Sequence, residues 1–260
     1  MNIGHRGASL HAPENTLAAF DLALSMGAHY LELDVHTTRD GHLVVFHDEV
    51  LDRVVRAPRP GMGGLVSALT MDRLSDLDVG SWFSEIYAGT KMVTLEEVLD
   101  RYRRCARLCI ELKGRSSEDE PRRKLLSLLR RFELVPPQTG AGRVIVLSFE
   151  QPTLQALAEA CPQLELMLLF DCTAAPDEIT WGIRRAPPFA SCIGLHLEVV
   201  NGAVVDEAHA HGLFVYPYTV NDPDDMERLL AEGVDGMMTD APDRLDLVLR
   251  QMPRVAYLAS

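Results

Sequence analysis

His5-Arg6-Gly7, Glu32-Leu33-Asp34, His47-Asp48 and Glu111-Leu112-Lys113 place two imidazoles, two cations and four carboxylates in short hydrophobic segments. Strand interiors are ordinarily filled by Val, Ile and Leu. Charges there must be paired, bind a metal or touch a substrate. Two acid/base groups, a carboxylate cluster and fixed cations form the set that metal-assisted phosphodiester cleavage needs. Strand alternation sharpens the pattern. Leu31, Leu33 and Val35 share one face of a strand, and Glu32 and Asp34 share the other, with Cα atoms roughly 6.6 Å apart. Glu111 and Lys113 point together in the same way. Converging carboxylates repel without a counter-charge, and their all-oxygen character suits one hard divalent cation, Mg²⁺ or Ca²⁺, better than zinc. The competing reading is a set of surface salt bridges on edge strands. A lone Glu-x-Asp pair fits that reading; its occurrence together with His-Arg and His-Asp favours a site.

Apolar strands alternate with amphipathic helices to position these residues. Strand and helix pairs are expected at Met1–Gly4 and Asn15–Met26, Tyr30–Val35 and Leu95–Cys105, Leu108–Leu112 and Asp119–Phe132, and Val144–Leu147 and Leu154–Ala160. They continue at Leu166–Phe170 and Pro176–Arg185, Cys192–Leu195 and Val204–His211, Phe214–Tyr218 and Pro223–Glu232, and Gly236–Thr239 and Pro242–Gln251. Leu43–Phe46 adds a further extended piece. Asn15 is read as the N-cap of the first helix, and Thr94 with Glu97 as a capping box for the second. About eight such units imply parallel strands joined by right-handed crossovers, and in 260 residues they fit a closed (β/α)₈ TIM barrel of the α/β class. His5, Glu32, Asp34, Glu111, His196 and Asp240 fall at or near C-terminal strand ends, where such barrels build their sites. The expected organisation is one domain over 1–260, with a small insertion after the second strand at about 51–89. Within it, Arg56-Ala57-Pro58-Arg59-Pro60-Gly61 reads as loop.

The net charge of −13 makes sequence-independent nucleic-acid binding a poor fit, because such binding needs phosphate neutralisation. It does not oppose a small anionic substrate held by a metal and a few local cations. Five cysteines without a C-x-x-C spacing read as structural thiols of a reducing compartment. No apolar stretch reaches transmembrane length and no signal peptide is visible, so the expected location is cytoplasmic, without stable membrane insertion.

The motifs taken in order are more specific than any one of them. His5-Arg6-Gly7-Ala8, Pro13-Glu14-Asn15-Thr16, Glu32-Leu33-Asp34-Val35, Thr38-Arg39-Asp40-Gly41 and Val44-Val45-Phe46-His47-Asp48 are followed by Leu51-Asp52-Arg53, Thr94-Leu95-Glu96-Glu97, Glu111-Leu112-Lys113, Thr219-Val220-Asn221 and Gly233 through Pro242. Across nearly its whole length the chain resembles the glycerophosphodiester phosphodiesterase family. The resemblance implies a TIM barrel with a small insertion after the second strand. It also implies divalent-cation-dependent hydrolysis of glycerophosphodiesters to sn-glycerol 3-phosphate and an alcohol, within glycerol and lipid metabolism. By position, His5 and His47 match the catalytic pair, Glu32, Asp34 and Glu111 the metal ligands, and Arg6 and Lys113 the phosphate-contacting cations. Tyr218 stands where a Trp often precedes Thr-Val-Asn, and Val93 where a Pro often precedes Thr-Leu-Glu-Glu. By the resemblance, the first of these departures would alter the wall of the substrate pocket.

The glycerol hydroxyl next to the ester oxygen can close a five-membered ring on phosphorus, so a cyclic phosphate intermediate is expected rather than a phosphoenzyme. Glu14 and Asn15 are read as turn and cap, Asp240 as bonding backbone at its strand end, and Trp82, Phe83 and Tyr87 as a small core of the insertion. His196 reads equally as a pocket or a packed residue, and His209 and His211 as surface residues. Two other functions are weighed. A lysophospholipase D-type enzyme would need an acyl groove and a membrane-facing patch, and no basic amphipathic helix is evident. A non-catalytic phosphodiester-binding barrel should have lost a histidine or a ligand, and none is lost.

Overall fold

The computed structural model describes residues 1–55, 64–114, 119–137 and 142–251; the Arg56–Gly61 segment expected as loop lies outside them. Strands β1 (Asn2–Gly4), β2 (Tyr30–Thr37), β4 (Arg107–Leu112), β5 (Val144–Ser148), β6 (Glu165–Leu169), β7 (Cys192–His196), β8 (Phe214–Tyr218) and β9 (Met237–Thr239) pair in parallel in the order β8-β7-β6-β5-β4-β2-β1-β9. A short strand β3 (Leu43–Val45) pairs antiparallel with β2. The ends of the sheet approach one another: Asp235 N–H donates to the Val215 carbonyl at 3.1 Å, and Val220 N–H to that of Met238 at 2.9 Å. The result is the eight-stranded (β/α)₈ TIM barrel expected from the alternating pattern.

Helices α1 (Leu17–Ser25), α3 (Leu95–Tyr102), α4 (Asp119–Arg131), α5 (Gln151–Ala160), α6 (Pro176–Arg185), α7 (Gly202–Ala210), α8 (Pro223–Ala231) and α9 (Pro242–Gln251) occupy the outer layer; the five-residue α2 (Met71–Ser75) belongs to the β3–α3 segment. Leu31, Leu33, Val35, Leu108 and Ile110 face these helices in the main core. The alternate residues Tyr30 and Cys109, with Ile3, Ile145, Met167, Tyr216 and Met238, fill the barrel interior. This two-sided burial explains why the strands read as hydrophobic runs, and it makes Glu32, Asp34 and Glu111 conspicuous on the inward face. Val44 of β3 and, between β3 and α3, Phe46, Leu51, Val54, Val66, Leu74 and Met92 make a separate small core. Trp82 packs against it, and Phe83 and Tyr87 follow Trp82 edge-to-face outside it, so the small core expected of these three aromatics is built by other side chains instead.

Two local expectations are resolved differently. Thr94 and Glu97 do form the capping box of α3. The cap of α1, however, is Thr16, whose Oγ1 accepts from Ala19 N–H at 3.2 Å. Asn15 has φ 57°, and its side chain is turned to another task. No helix among the described residues is long and apolar enough to cross a membrane.

Candidate active site

Register brings the charged tripeptides together. In the β2–β4 pair Asp34 is aligned with Glu111, and in the β1–β2 pair Gly4 is aligned with Leu31, so the chain leaving β1 at His5 arrives beside Glu32. At that exit Arg6 and Gly7 both take positive φ, 57° and 86°. This sharp left-handed turn aims the Arg6 N–H at Glu32 Oε2, 2.8 Å away. A non-glycine residue in this region is strained, and here the strain falls on one of the expected site cations.

Glu32, Asp34 and Glu111 are buried, and one carboxylate oxygen from each lies within 4.8 Å of the others. Lys113 Nζ is 3.0 Å from Asp34 Oδ1 and 2.5 Å from Glu111 Oε1. Arg6 Nε lies 3.4 Å from Asp34 Oδ2. Asn15 holds Asp34 twice, donating Nδ2 to Oδ2 at 2.8 Å and accepting the Asp34 N–H at 3.2 Å. The charges settle unequally. Burial pushes Asp34 up, but Lys113, Arg6 and Asn15 outweigh it and hold its carboxyl well below the usual range. Burial pushes Glu32 and Glu111 upward, reinforced by repulsion from Asp34; Glu111 reaches about 7.

The three converging carboxylates outnumber the two cations, Arg6 and Lys113, that reach them, and Asp34 Oδ1 has the Lys113 ammonium as its partner at 3.0 Å. An all-oxygen set of three buried carboxylates with atoms this close together fits a hard divalent cation.

The two histidines are each oriented by a carboxylate. His5 Nδ1 lies 2.7 Å from Asp240 Oδ1. Asp240 also accepts from Ser9 Oγ at 2.8 Å and Asn221 Nδ2 at 2.7 Å. The Asp240 side chain thus bonds other side chains, not backbone as expected; the β9 end is spatially adjacent to β1, and that closure is absent from local sequence. His47 Nδ1 lies 2.6 Å from Asp48 Oδ1, and His36 Nε2 bonds the His47 carbonyl at 2.9 Å. Burial pushes the His47 imidazole toward its neutral form, and Arg6 and Lys113 add to this against Asp34 and Asp48.

Arg53, in the Leu51-Asp52-Arg53 motif, carries no sign of its role in the sequence. Its Nε donates to Asp48 at 2.6 Å, and its two terminal nitrogens reach Glu14 at 2.8 and 2.7 Å. Glu14 in turn accepts from Arg6 at 3.0 Å. Glu14 is therefore a bridge between Arg53 and Arg6, more than a turn residue.

His5, Arg6, Glu32, His47, Glu111 and Lys113 line one cavity of about 340 Å³ at the C-terminal end of the strands, with His196 and Tyr218 on its far side. His196 is thus a pocket residue. His209 and His211 lie away from it, paired with Asp235 and the Glu207 carbonyl. A larger cavity, about 690 Å³, opens at the opposite end among Glu165, Cys192 and Phe214, where three strands begin. Among the described residues it holds no comparable cluster of acid/base groups, and the end of a barrel that carries chemistry is the other one.

Residues 5–244 match the Glycerophosphoryl diester phosphodiesterase family. The chain belongs to this family. It is 35% identical over 251 residues to a glycerophosphodiester phosphodiesterase of Bacillus subtilis (strain 168), covering 94% of this chain and 84% of that one. It is 33% identical over 251 residues to one from Caldanaerobacter subterraneus subsp. tengcongensis, covering 96% and 97%. The fold superposes with TM-score 0.83 on an Oleispira antarctica phosphodiesterase solved in complex with the product sn-glycerol-3-phosphate, at 26% identity and covering 95% and 96% of the two chains. As a member of this family the chain is a phosphodiesterase, the enzyme class expected from its motifs, and not a non-catalytic barrel.

Proposed function

We propose that this enzyme hydrolyses glycerophosphodiesters to sn-glycerol 3-phosphate and an alcohol, using His5 and His47 as its acid/base pair. The observation that carries the reading is the convergence of two carboxylate-oriented histidines, two cations and the carboxylates of Glu32 and Glu111 on one cavity, with Asp34 grouped with those two carboxylates behind it. Residues 1–260 would act as one domain, with the segment near 51–89 inserted; Arg53, from that segment, ties it to the site. Glu32, Asp34 and Glu111 would hold one divalent cation, Mg²⁺ or Ca²⁺. Bound there, it would neutralise charge on the non-bridging phosphate oxygens.

Arg6 and Lys113 extend that neutralisation from the protein side. The neutral His47 takes the proton of the glycerol 2-hydroxyl. Its oxygen bonds to phosphorus as the bond to the leaving alkoxide breaks. His5, whose Nδ1 is fixed by Asp240, presents its other ring nitrogen to protonate that alkoxide. The roles then reverse: His5 takes a proton from water, the water oxygen opens the 1,2-cyclic phosphate, and His47 returns a proton to the 2-oxygen. Histidine suits both roles because its ordinary pKa lies near about 6.5.

The test compares a glycerophosphodiester with its 2-deoxy analogue, followed by phosphorus NMR. The parent should pass through a cyclic phosphate and the analogue should turn over at least about 10²-fold more slowly. Equal rates would replace the cyclic route with direct attack by water. Absence of turnover for every glycerophosphodiester, with metal supplied, would overturn the reading itself.

A further inference from the structure

The cavity has two unlike sides. The side built at the ends of β1, β2 and β4 carries His5, Arg6, Glu32, Glu111 and Lys113. The side built by β5, β6, β7, β8 and the loops after them carries Leu147, Phe149, Leu169, Cys172, His196 and Tyr218. Among the described residues no lysine or arginine lines this second side.

Its aromatic rings form one continuous panel. Phe149 meets Tyr218 edge-to-face with centroids 6.2 Å apart at 88°, and His196 meets Tyr218 at 6.2 Å and 84°. Phe149 is 41% exposed although it is a large apolar residue. The Tyr218 hydroxyl donates to the Phe170 carbonyl, which anchors its ring. Carboxylates flank the panel. Asp171 precedes Cys172 and acts electrostatically on Tyr218. Glu198 Oε2 lies 3.9 Å from His196 Nδ1 and its side chain is 80% exposed.

A glycerophosphodiester must place two different groups around its phosphate. The glycerol unit carries hydroxyls that need partners, and the carboxylates and imidazoles of the polar side supply them. The aromatic side offers ring faces, methyl groups and sulfur. A ring face attracts a cation through its quadrupole, most strongly one with a diffuse, weakly hydrated charge, and nearby carboxylates add to the attraction. We propose that the Phe149–Tyr218–His196 side is the leaving-group subsite and that it selects an alcohol bearing a quaternary ammonium over neutral alcohols. The proposal rests on the diesterase reading given above.

The test measures kcat/KM for glycerophosphocholine against the 3,3-dimethylbutyl ester of glycerol 3-phosphate, which has the same shape without the charge. The wild type should prefer the cationic ester by about five- to thirtyfold, as a cation–ring attraction of about 1–2 kcal/mol would give. Phe149→Leu and Tyr218→Leu should each lower that ratio by at least about threefold, and Glu198→Gln by less. A wild-type ratio near unity, or a ratio unchanged in both ring variants, overturns the subsite. If neither ester nor any other glycerophosphodiester is hydrolysed, the diesterase reading fails separately. The subsite is then decided by saturation-transfer NMR with tetramethylammonium and tert-butanol. A tetramethylammonium signal that exceeds the tert-butanol signal and weakens in Phe149→Leu supports it; any other pattern overturns it.

Discussion

At the residue scale the site works through pairs, and each histidine depends on a carboxylate that fixes its tautomer. His5→Ala and His47→Ala should each reduce kcat by at least about 10²-fold with a smaller change in KM, the lower end for losing a positioned acid or base. The double variant should lose less than the product of the single losses, because groups acting as a unit are non-additive. Steady-state kinetics checks this, and near-normal kcat in either single variant would remove that histidine from the chemistry. Asp240→Asn keeps the shape and removes the charge beside His5. It should lower kcat at least about tenfold through the wrong tautomer. It also has a stability signature. Burial disfavours the Asp240 charge, but bonds from His5, Ser9 and Asn221 outweigh it and bring the pKa from 3.8 to about 2. The folded form therefore releases this proton more readily than the unfolded chain. The resulting stabilisation is fully present above about pH 4 and is lost as pH falls toward about 2. The gap in unfolding free energy between wild type and Asp240→Asn, measured in urea, should narrow over that interval. A constant gap would mean that the aspartate charge contributes nothing there.

At the element scale the β1–α1 turn sets the position of Arg6, and Gly7 makes the turn possible. A Cβ on Gly7 would sit 2.6 Å from the Ala19 carbonyl carbon and 2.7 Å from its Cβ, at φ 86°. Gly7→Ala is expected to destabilise by at least about 1–3 kcal/mol from backbone strain alone, and to lose activity beyond its loss of fold as the Arg6 N–H leaves Glu32. Thermal unfolding and kinetics on the folded fraction separate the two effects. This turn also shows what was legible in the chain. Alternation in Tyr30–Val35 and Cys109–Lys113 made the inward carboxylates visible, because a strand repeats every two residues whatever surrounds it. Pro176–Arg185, Phe214–Tyr218 and Pro242–Gln251 fall where the pattern put them. Contacts made by barrel closure were not visible: Asp240 meets His5 across 235 residues. Nor was the span from Asp48 through Arg53 to Glu14, since three exposed-looking charges in separate motifs carry no sign of their pairing. At Asn15 two adjacent capping residues competed, and the need of buried Asp34 for a donor drew Asn15 away and left Thr16 to cap α1.

At the scale of the whole molecule, the barrel joins eight parallel strands around a group of carboxylates that oppose one another. Burial and the Asp34 charge push Glu32 and Glu111 up, so the folded protein without a cation carries an electrostatic cost at the strand ends. A divalent cation that binds the folded site and not the unfolded chain should stabilise the entire barrel. At a concentration about 100 times its dissociation constant, the gain is about 2.7 kcal/mol. For a chain of this size each kcal/mol is worth roughly 2–4 °C, so the melting temperature should rise by about 5–11 °C. Differential scanning calorimetry after EDTA treatment, and again after adding Mg²⁺ or Ca²⁺, measures this without reference to turnover. Glu32→Gln and Asp34→Asn remove anionic donors with little change of volume, and in each the cation-dependent rise should shrink to about 2 °C or less. The two variants should differ in the cation-free state. Glu32→Gln relieves repulsion and should melt near or above the wild type, whereas Asp34→Asn leaves Lys113 and Arg6 with less opposing charge and should melt lower. An unchanged rise in both variants would place the cation elsewhere, and no rise in the wild type would mean that the three carboxylates are held by Lys113 and Arg6 alone.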